Sequence, residues 1–295
     1  MEYDVIIIGG SYAGISAALQ LARARRKILV IDGGNRRNRF ASHSHGFFAQ
    51  DGRDSGVLVS EARAQLLDYP TVQWLSQVAI EAAQRVNGFE VTLDNGERVA
   101  GARLILASGV ADQLPDIPGL AQRWGTRVFH CPYCHGYELD GGPIGVLAVS
   151  PLAIHQALML PDWGPTTLFL NQTFEPDGDQ LANLERRGVT LERESVTEMA
   201  GQAADVTLAS GRVVHLAGLF TQTRTHMASP LALQLGCAFE EGPMGPFIQV
   251  DAMRETSISG VFACGDAAVA AGNVAISVGD GARTGAGAHQ SLIFR

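Results

Sequence analysis

Residues 5–14 read Val-Ile-Ile-Ile-Gly-Gly-Ser-Tyr-Ala-Gly, an apolar run that ends in a glycine-rich turn. The apolar run predicts a parallel strand that is covered on both faces. The turn has the spacing G-x-S-x-x-G between Gly9 and Gly14, and residues 15–24 follow with the apolar spacing of a helix. Such a turn aims the N–H groups of a helix N-terminus at a pyrophosphate. The stretch therefore predicts an α/β domain that binds a dinucleotide.

Two further residues bear on this prediction. Ser11 stands where close approach of a phosphate usually requires glycine, but serine is small and can donate a hydrogen bond. Asp32 ends the second predicted strand, where a carboxylate can accept hydrogen bonds from ribose hydroxyls. A glycine-rich turn can also serve packing alone. The strand, the helix and the acid in register favour dinucleotide binding.

The composition excludes several classes of protein. The 295 residues are 46% hydrophobic and 18% charged, which indicates a globular chain long enough for two domains. A net charge of −8 argues against binding to nucleic acid or to an anionic membrane. No apolar run reaches the roughly 18 residues needed to span a bilayer, and the first residues do not resemble a signal peptide. We therefore expect a cytoplasmic protein.

Cys131-Pro132-Tyr133-Cys134-His135 is the second informative stretch. A CxxC pair can be a redox dithiol, half of a zinc site, a structural disulfide or, with the following histidine, a c-type haem attachment site. Haem is attached after export, and structural disulfides are rare in the cytoplasm. A zinc site needs a second ligand pair, whereas Cys237 and Cys264 are isolated single cysteines. A redox dithiol is favoured, with the His135 imidazole suited to moving its proton.

The rest of the chain predicts one domain interrupted by another. Residues 112–119 are rich in proline and acidic residues, and residues 242–246 read Gly-Pro-Met-Gly-Pro, so both stretches are expected to cross between domains. We predict a first domain from residues 1–112 and 245–295 and an inserted domain from residues 113–244. The predicted strands are 4–8, 27–32, 89–93, 104–106, 144–147, 167–170, 247–250 and 260–263, and the predicted helices are 15–24, 61–67, 152–160 and 273 onward, with a loop over 33–56.

Two short segments suggest a known family. A strand ends in Gly265-Asp266 and is followed by a helix, and Ala107-Ser108-Gly109 resembles an A-T-G element with serine in place of threonine. Together with the opening turn and the CxxC, the chain resembles the low-molecular-weight thioredoxin reductase family of flavoprotein disulfide reductases over essentially its whole length. The resemblance implies an α/β fold of two Rossmann-like domains of the FAD/NAD(P)-binding type, the second inserted in the first. It also implies an FAD cofactor and a homodimer.

The resemblance assigns expected roles to residues. In the family, Gly-Asp holds the ribityl and phosphate region of FAD, the next helix points its N-terminus at the flavin, and a loop corresponding to residues 43–52 covers the flavin. By this resemblance His43, His45 or Gln50 is expected to contact the isoalloxazine or to act as a relay, and the alternative is that these residues only satisfy the loop backbone. Arg36, Arg37 and Arg39 approach the adenosine or phosphates, or are simply solvated. The expected cofactor-binding residues are Gly9, Ser11, Ala13, Gly14, Asp32, Gly33, Arg39, His45, Gln50, Ala107, Ser108, Gly109, Gly265, Asp266, Val274 and Ala275.

A histidine directly after the second cysteine resembles the subgroup that includes gliotoxin- and holomycin-type dithiol oxidases. By this resemblance Cys134 faces the flavin, Cys131 exchanges with the substrate and His135 moves the proton. We expect these three residues to be catalytic, without a metal. The implied substrate is a thioredoxin-like protein or a small-molecule dithiol or disulfide.

The inserted domain lacks the expected features of an NADPH site. Residues 147–153 contain no glycine, and Pro151 has no N–H group to donate. Residues 171–173, where the family places basic residues for the 2′-phosphate, are Asn-Gln-Thr. We expect weak or no NADPH binding, although serine and backbone amides can replace the glycines.

Several functions therefore stay open. A dithiol can reduce the cysteine pair, the pair reduces FAD, and O2 reoxidises it. A ferredoxin-like donor can instead reduce FAD and, through the dithiol, thioredoxin. A conventional NADPH-dependent thioredoxin reductase and an FAD-binding redox sensor are the alternatives, and the sensor is the weakest because the FAD elements and the CxxC occur together.

Overall fold

The computed structural model describes residues 2–201 and 203–294. The chain forms two compact units. The first comprises Met1–Arg39, Arg53–Asp112 and Thr225–Arg295, and the second comprises Phe40–Gly52 and Gln113–Arg224. Within the described residues no helix combines the length and the apolar character needed to cross a membrane.

The elements follow one another along the chain as helices and mostly short strands. The helices are α1 Tyr12–Arg23, α2 Ser55–Leu67, α3 Pro132–His135, α4 Ala153–Met159, α5 Gly178–Arg186, α6 Leu231–Gln234 and α7 Val274–Phe294. The strands are β1 Tyr3–Ile8, β2 Ile28–Ile31, β3 His43–Ser44, β4 Arg53–Asp54, β5 Val72–Leu75, β6 Ala79–Arg85, β7 Gly88–Leu93, β8 Arg98–Leu106, β9 Val110–Gln113, β10 Val128–Phe129, β11 Ile144–Leu147, β12 Thr166–Phe169, β13 Thr190–Glu192, β14 Val196–Ala200, β15 Asp205–Leu208, β16 Val213–Val214, β17 Gly218–Thr221, β18 Arg224–Met227, β19 Phe239–Glu241, β20 Pro246–Ile248 and β21 Val261–Ala263.

The first unit is built on a sheet in the order β5-β2-β1-β8-β7-β6, with β21 also paired to β8. Pairing is parallel among β5, β2, β1, β8 and β21. Strand β7 pairs antiparallel with both of its neighbours, β8 and β6. Helices α1 and α7 pack closely, because a Cβ atom on Gly281 or Gly285 of α7 would lie 2.1 or 2.4 Å from a carbonyl oxygen of α1. The apolar run of β1 is fully buried, as its sequence predicts.

The second unit has a parallel sheet in the order β10-β17-β11-β12-β13, with helices α4 and α5 in the crossovers. A separate antiparallel sheet, β14-β15-β16, follows β13. Phe169 and Phe220 are fully buried in this unit. Each unit thus has its own core and a sheet with parallel strands, mixed in the first unit and all parallel in the second, which is the α/β architecture expected from the sequence.

The division of the chain differs in two places from the ranges expected from the sequence. Residues 225–244 belong to the first unit, because Leu231, Ala232 and Cys237 lie in its hydrophobic core and the Thr225 N–H donates to the Met244 carbonyl at 2.7 Å. Residues 40–52 belong to the second unit. The expected crossing near residue 112 coincides with the end of a segment of the first unit. The functional roles of the two domains stay predictions.

Helix α2 begins earlier than the sequence pattern predicts. The structure starts it at Ser55, whereas the pattern predicts a start near Glu61. The physical reason is the N-cap: the Asp54 carboxylate accepts hydrogen bonds from the N–H groups of Gly56 and Val57, both at 2.8 Å. The expected loop over 33–56 therefore ends in a capped helix.

Candidate dinucleotide and dithiol sites

The opening turn of the first unit has no room for side chains at its key glycines. Gly9 has a φ of +103°, and a Cβ atom there would lie 2.4 Å from the Ala107 carbonyl oxygen. A Cβ atom on Gly14 would lie 1.8 Å from the Gly9 carbonyl oxygen. The Gly10 N–H donates to the Asp32 carboxylate at 3.1 Å. The turn, the acid at the end of β2 and the segment after β8 thus come together.

Helix α1 offers its N-terminus at this turn. Ser11, the N-cap, is extended, with φ −103° and ψ −159°. Within the described residues, its hydroxyl makes no capping hydrogen bond to the helix. Because the Ser11 hydroxyl does not cap the helix, the N–H groups and the dipole at the start of α1 can bind an anion. These donors fit the pyrophosphate of a dinucleotide.

A third backbone segment reaches the same place. Gly265 follows β21 and has a φ of +65°, and a Cβ atom there would lie 2.9 Å from the Ala13 Cβ. The Gly265–Asp266 turn therefore contacts the first turn of α1. Three close-packed backbone segments, at 9–14, 107–109 and 265–266, form a cradle whose close packing and backbone N–H groups fit a dinucleotide such as FAD.

Arg37 links the cradle to a buried acid. Its guanidinium donates to Asp266 at 2.9 Å and, with two nitrogens, to Asp112 at 2.8 and 2.6 Å. Burial lowers the pKa of Arg37, but the hydrogen bonds and charges of Asp112 and Asp266 outweigh it and raise the pKa above its ordinary value. The expected alternative of a solvated Arg37 is wrong, because its side chain is 20% exposed and paired with both acids. The sequence gives no sign of this pairing.

The remaining expected cofactor residues occupy varied positions. Val274 and Ala275 begin α7, whose start is capped by the Asn273 side chain accepting from the Ile276 N–H at 2.9 Å. Gly33 packs near Val78, and Arg39 is exposed and donates to the Arg36 carbonyl at 2.8 Å. His45 and Gln50 lie in the loop that belongs to the second unit. The residues brought together within the first unit are therefore those of the three backbone segments and Asp32.

The two cysteines of the CxxC form a disulfide in the second unit. Cys131 and Cys134 have a Cα–Cα distance of 5.3 Å. Cys131 is the extended N-cap of α3, Pro132 takes the first helical position, and the Cys134 N–H donates to the Cys131 carbonyl at 3.2 Å. One turn of helix thus holds both sulfurs at bonding distance. A Cβ atom on Gly136 would lie 2.7 Å from both the Pro132 carbonyl oxygen and the Trp163 ring, so this turn is tightly packed.

His135 is held next to the disulfide in an apolar setting. Its ring stacks on Phe129 with a centroid distance of 4.4 Å and an interplanar angle of 23°. Burial, together with the nearby His130 and His45, lowers the pKa of His135 to about 4. The imidazole is therefore neutral at pH 7, and its low pKa makes it a weak base that releases a proton readily.

A contact that the sequence did not predict joins the loop 40–52 to the same region. His45 Nδ1 lies 3.3 Å from a Glu138 carboxylate oxygen and 3.8 Å from an Asp51 carboxylate oxygen. Glu138 comes three residues after His135. The loop that was expected to cover a flavin thus contacts the segment that follows the dithiol, within the second unit. The two histidines of the His-Ser-His sequence were a signal that this loop makes a contact of its own, but the sequence did not show that Glu138 would be the partner of His45.

The turn before α4 uses its N–H groups internally. The Leu152 N–H donates to the Ser150 hydroxyl at 3.3 Å, and the Ala153 and Ile154 N–H groups donate to the carbonyls of Ser150 and Pro151 at 3.1 and 3.2 Å. The Ser150 hydroxyl in turn donates to Gln222 at 3.1 Å. This turn differs from the start of α1, where the cap hydroxyl is not bound to the helix.

The other two cysteines are buried and outside the disulfide. Burial, with the negative charge of Asp280, raises the pKa of the Cys264 thiol to about 12. Burial likewise raises the pKa of Cys237. Both thiols are therefore protonated and unreactive at neutral pH.

Comparison with known proteins identifies the family. Residues 3–286 match the family described as pyridine nucleotide-disulphide oxidoreductase. The chain belongs to this family. It is 33% identical to thioredoxin reductase tcpT from Claviceps purpurea, over 98% of this chain and 94% of that protein. The expectation of a thioredoxin reductase-like flavoprotein is confirmed: the chain is an FAD-dependent disulfide oxidoreductase.

Solved structures agree with this assignment. An oxidoreductase from Agrobacterium tumefaciens is 58% identical with a TM-score of 0.97, over 100% of this chain and 99% of that chain. HlmI is 32% identical with a TM-score of 0.91, over 99% of this chain and 92% of that chain. The predicted fold class, two Rossmann-like domains of the FAD/NAD(P)-binding type, is confirmed.

Proposed function

We propose that this protein exchanges two electrons between FAD and a substrate dithiol or disulfide through the Cys131–Cys134 pair, and that NADPH is a poor electron partner. The observation that carries the proposal is the Cys131–Cys134 disulfide in one helical turn, followed by a neutral His135, in a member of a disulfide oxidoreductase family. The substrate is a thioredoxin-like protein or a small-molecule dithiol.

A substrate dithiol reduces the cysteine pair in two exchange steps. One substrate thiol attacks the Cys131 sulfur while its proton moves to neutral His135, and the Cys131–Cys134 bond breaks. The low pKa of His135 favours the immediate onward release of this proton. His135 passes the proton to the leaving Cys134 sulfur. The second substrate thiol then displaces Cys131 and closes the substrate disulfide, so two electrons and two protons move from the substrate to the cysteine pair. With a disulfide substrate the same bonds form and break in reverse.

The residues of the first unit are proposed to hold the cofactor. The segments 9–14, 107–109 and 265–266, with Asp32 and the start of α7, bind the dinucleotide by backbone N–H groups and carboxylates. When bound, FAD supplies the group with which the reduced cysteine pair exchanges its two electrons. The protein's part is to bind and orient that group.

Weak use of NADPH is supported by the turn before α4. The N–H groups of Leu152, Ala153 and Ile154 already have partners, and Pro151 has none to offer. A pyrophosphate would have to break these hydrogen bonds before it could accept its own. Residues 171–173 offer no basic side chain to a 2′-phosphate. The second electron partner is then O2 for dithiol oxidation, or a reduced ferredoxin-like donor for disulfide reduction.

The test is an anaerobic titration of the purified protein, followed by the visible absorbance of the flavin. Dithiothreitol and a reduced ferredoxin serve as probes in parallel with NADPH. We expect at least one of the first two to bleach the flavin and NADPH to bleach it slowly or not at all. Rapid, stoichiometric bleaching by NADPH contradicts the proposal, and so does a dithiol response that survives Cys134→Ser.

The proposal extends to the assembly and its location. By resemblance to the family we propose a homodimer in the cytoplasm that binds neither nucleic acid nor membranes. Sedimentation equilibrium of the FAD-loaded protein tests the first point, and a monomer at micromolar concentration contradicts it.

A further inference from the structure

We propose that Arg254 and Asp280 are positioning residues that fix the backbone of the Gly265–Ala268 turn and thereby set the affinity for FAD. The inference rests on FAD binding by the first unit. It concerns a buried ion pair that is hydrogen-bonded to the third segment of the cradle but belongs to none of the three backbone segments.

The ion pair forms hydrogen bonds with both ends of the turn. One carboxylate oxygen of Asp280, on α7, accepts the Gly265 N–H at 2.9 Å and the Arg254 guanidinium at 2.6 Å. The same guanidinium nitrogen donates to the Ala268 carbonyl at 3.2 Å. The first N–H and the last carbonyl of the turn are therefore held by one ion pair.

The ion pair is buried, so the loss of either charge is costly. The side chains of Arg254 and Asp280 are each 11% exposed. A buried ion pair is tolerated when further hydrogen bonds satisfy it, and the loss of one partner leaves an uncompensated charge. Here those further bonds go to the turn itself. Removing the charge of Asp280 therefore disturbs Gly265 and Ala268 at the same time.

The backbone of Arg254 is also fixed, by the strand that leads into the turn. Its φ is +67°, a left-handed conformation that is costly for a residue with a side chain and persists where the surroundings fix it. The Arg254 carbonyl accepts the Ala263 N–H at 3.1 Å, at the end of β21. The residue is thus held by the strand that leads into the turn while its side chain holds the residues that follow.

The position of the turn matters because it faces α1. Gly265 packs against Ala13, in the first turn of α1. The Asp266 side chain is fixed separately, by Arg37 at 2.9 Å. Arg254 and Asp280 thus set where the backbone lies, and Arg37 sets where the carboxylate points.

The test compares FAD affinity with stability. FAD is titrated into apo-protein of wild type and Asp280→Asn and followed by flavin fluorescence, and the thermal unfolding of each apo-protein is measured by circular dichroism. We expect Asp280→Asn to raise the FAD dissociation constant about tenfold, the effect of losing one charge-assisted hydrogen bond. A dissociation constant within about twofold of wild type overturns the proposal.

A control that contacts the same helix from β8 separates positioning from stability. Arg103 donates to the hydroxyl and the carbonyl of Ser291, both at 2.8 Å, near the other end of α7. We expect Arg103→Met to lower the unfolding temperature and to leave FAD affinity unchanged. An equal loss of affinity in Arg103→Met overturns the proposal, because the pair would then act only by stabilising α7.

A conservative variant covers the case in which Asp280→Asn does not fold. Arg254→Lys keeps the charge but cannot reach Asp280 and Ala268 with the same geometry. We expect it to raise the FAD dissociation constant above that of wild type but by less than about tenfold, and unchanged affinity overturns the proposal. Because no thiol is present in the titration, a protein that binds FAD but exchanges no thiols contradicts the proposed function alone.

Discussion

Gly14 approaches Gly9 so closely that a Cβ atom on Gly14 would lie 1.8 Å from the Gly9 carbonyl oxygen. That oxygen belongs to the backbone and cannot turn aside as a flexible side chain would. The first turn of α1 can therefore lie against the end of β1 only because residue 14 has no side chain. The contact is a requirement of the cradle.

We expect Gly14→Ala to destabilise the protein by about 3 kcal/mol, because the added methyl group overpacks the turn, and to weaken FAD binding. Denaturant unfolding and FAD titration of the apo-protein measure the two effects. Gly279→Ala is the matched control: Gly279 is an exposed helical glycine with open space around it, so alanine there should stabilise by up to about 1 kcal/mol. Wild-type FAD affinity in Gly14→Ala would contradict the cradle.

We expect Cys134→Ser to retain FAD and to lose thiol–disulfide exchange, because the S–S bond that carries the electrons cannot form. Flavin content and turnover of a dithiol substrate measure this. Cys237→Ala is the control, since Cys237 is buried and outside the disulfide. We expect it to cost stability and to keep exchange. Loss of the flavin from Cys134→Ser would show that the cysteine pair also supports the cofactor.

We expect the oxidised protein to lose stability as the pH falls from about 6.5 toward 4. The pKa of His135 is lowered to about 4 in the folded protein, so the unfolded chain binds more protons in this window. The free energy of unfolding, measured at a series of pH values, should fall less steeply in His135→Gln. His155→Gln, at an exposed helical histidine, should keep the wild-type slope. Equal slopes in all three proteins would contradict a neutral His135.

We expect the double substitution Ser150→Gly and Pro151→Gly to tighten NADPH binding. It frees the Leu152 N–H from the Ser150 hydroxyl and adds an N–H at residue 151, and each new hydrogen bond contributes about 1 kcal/mol. Flavin bleaching at a series of NADPH concentrations measures the change. Pro161→Gly, at another short helical turn of the same unit, is the control and should leave NADPH affinity as in wild type. An unimproved double variant would mean that this turn does not limit binding.

Local patterns predicted much of the fold and of the cradle. The apolar run of β1, the glycines of the turn and Asp32 are close in the chain, and their spacing carries the information. The sequence left the role of Arg37 open, because its partners Asp112 and Asp266 lie 75 and 229 residues away in the chain. No local pattern encodes such a pairing.

The boundaries of the second unit were hard to predict for a related reason. Gly-Pro-Met-Gly-Pro at 242–246 looks like a crossing, yet Leu231 and Cys237 are already packed in the core of the first unit. Whether an apolar residue joins one core or another depends on tertiary contacts. The start of α2 is different, since Asp54 followed by Ser55 is a cap signal that the sequence itself contains.

The hydrogen bonds that close the turn before α4 bear on the design of inhibitors. A compound that imitates an adenine dinucleotide would encounter one open phosphate cradle, at α1, and one whose donors are already satisfied by the chain. Compounds selected against enzymes with two open cradles would therefore be poor starting points for this protein.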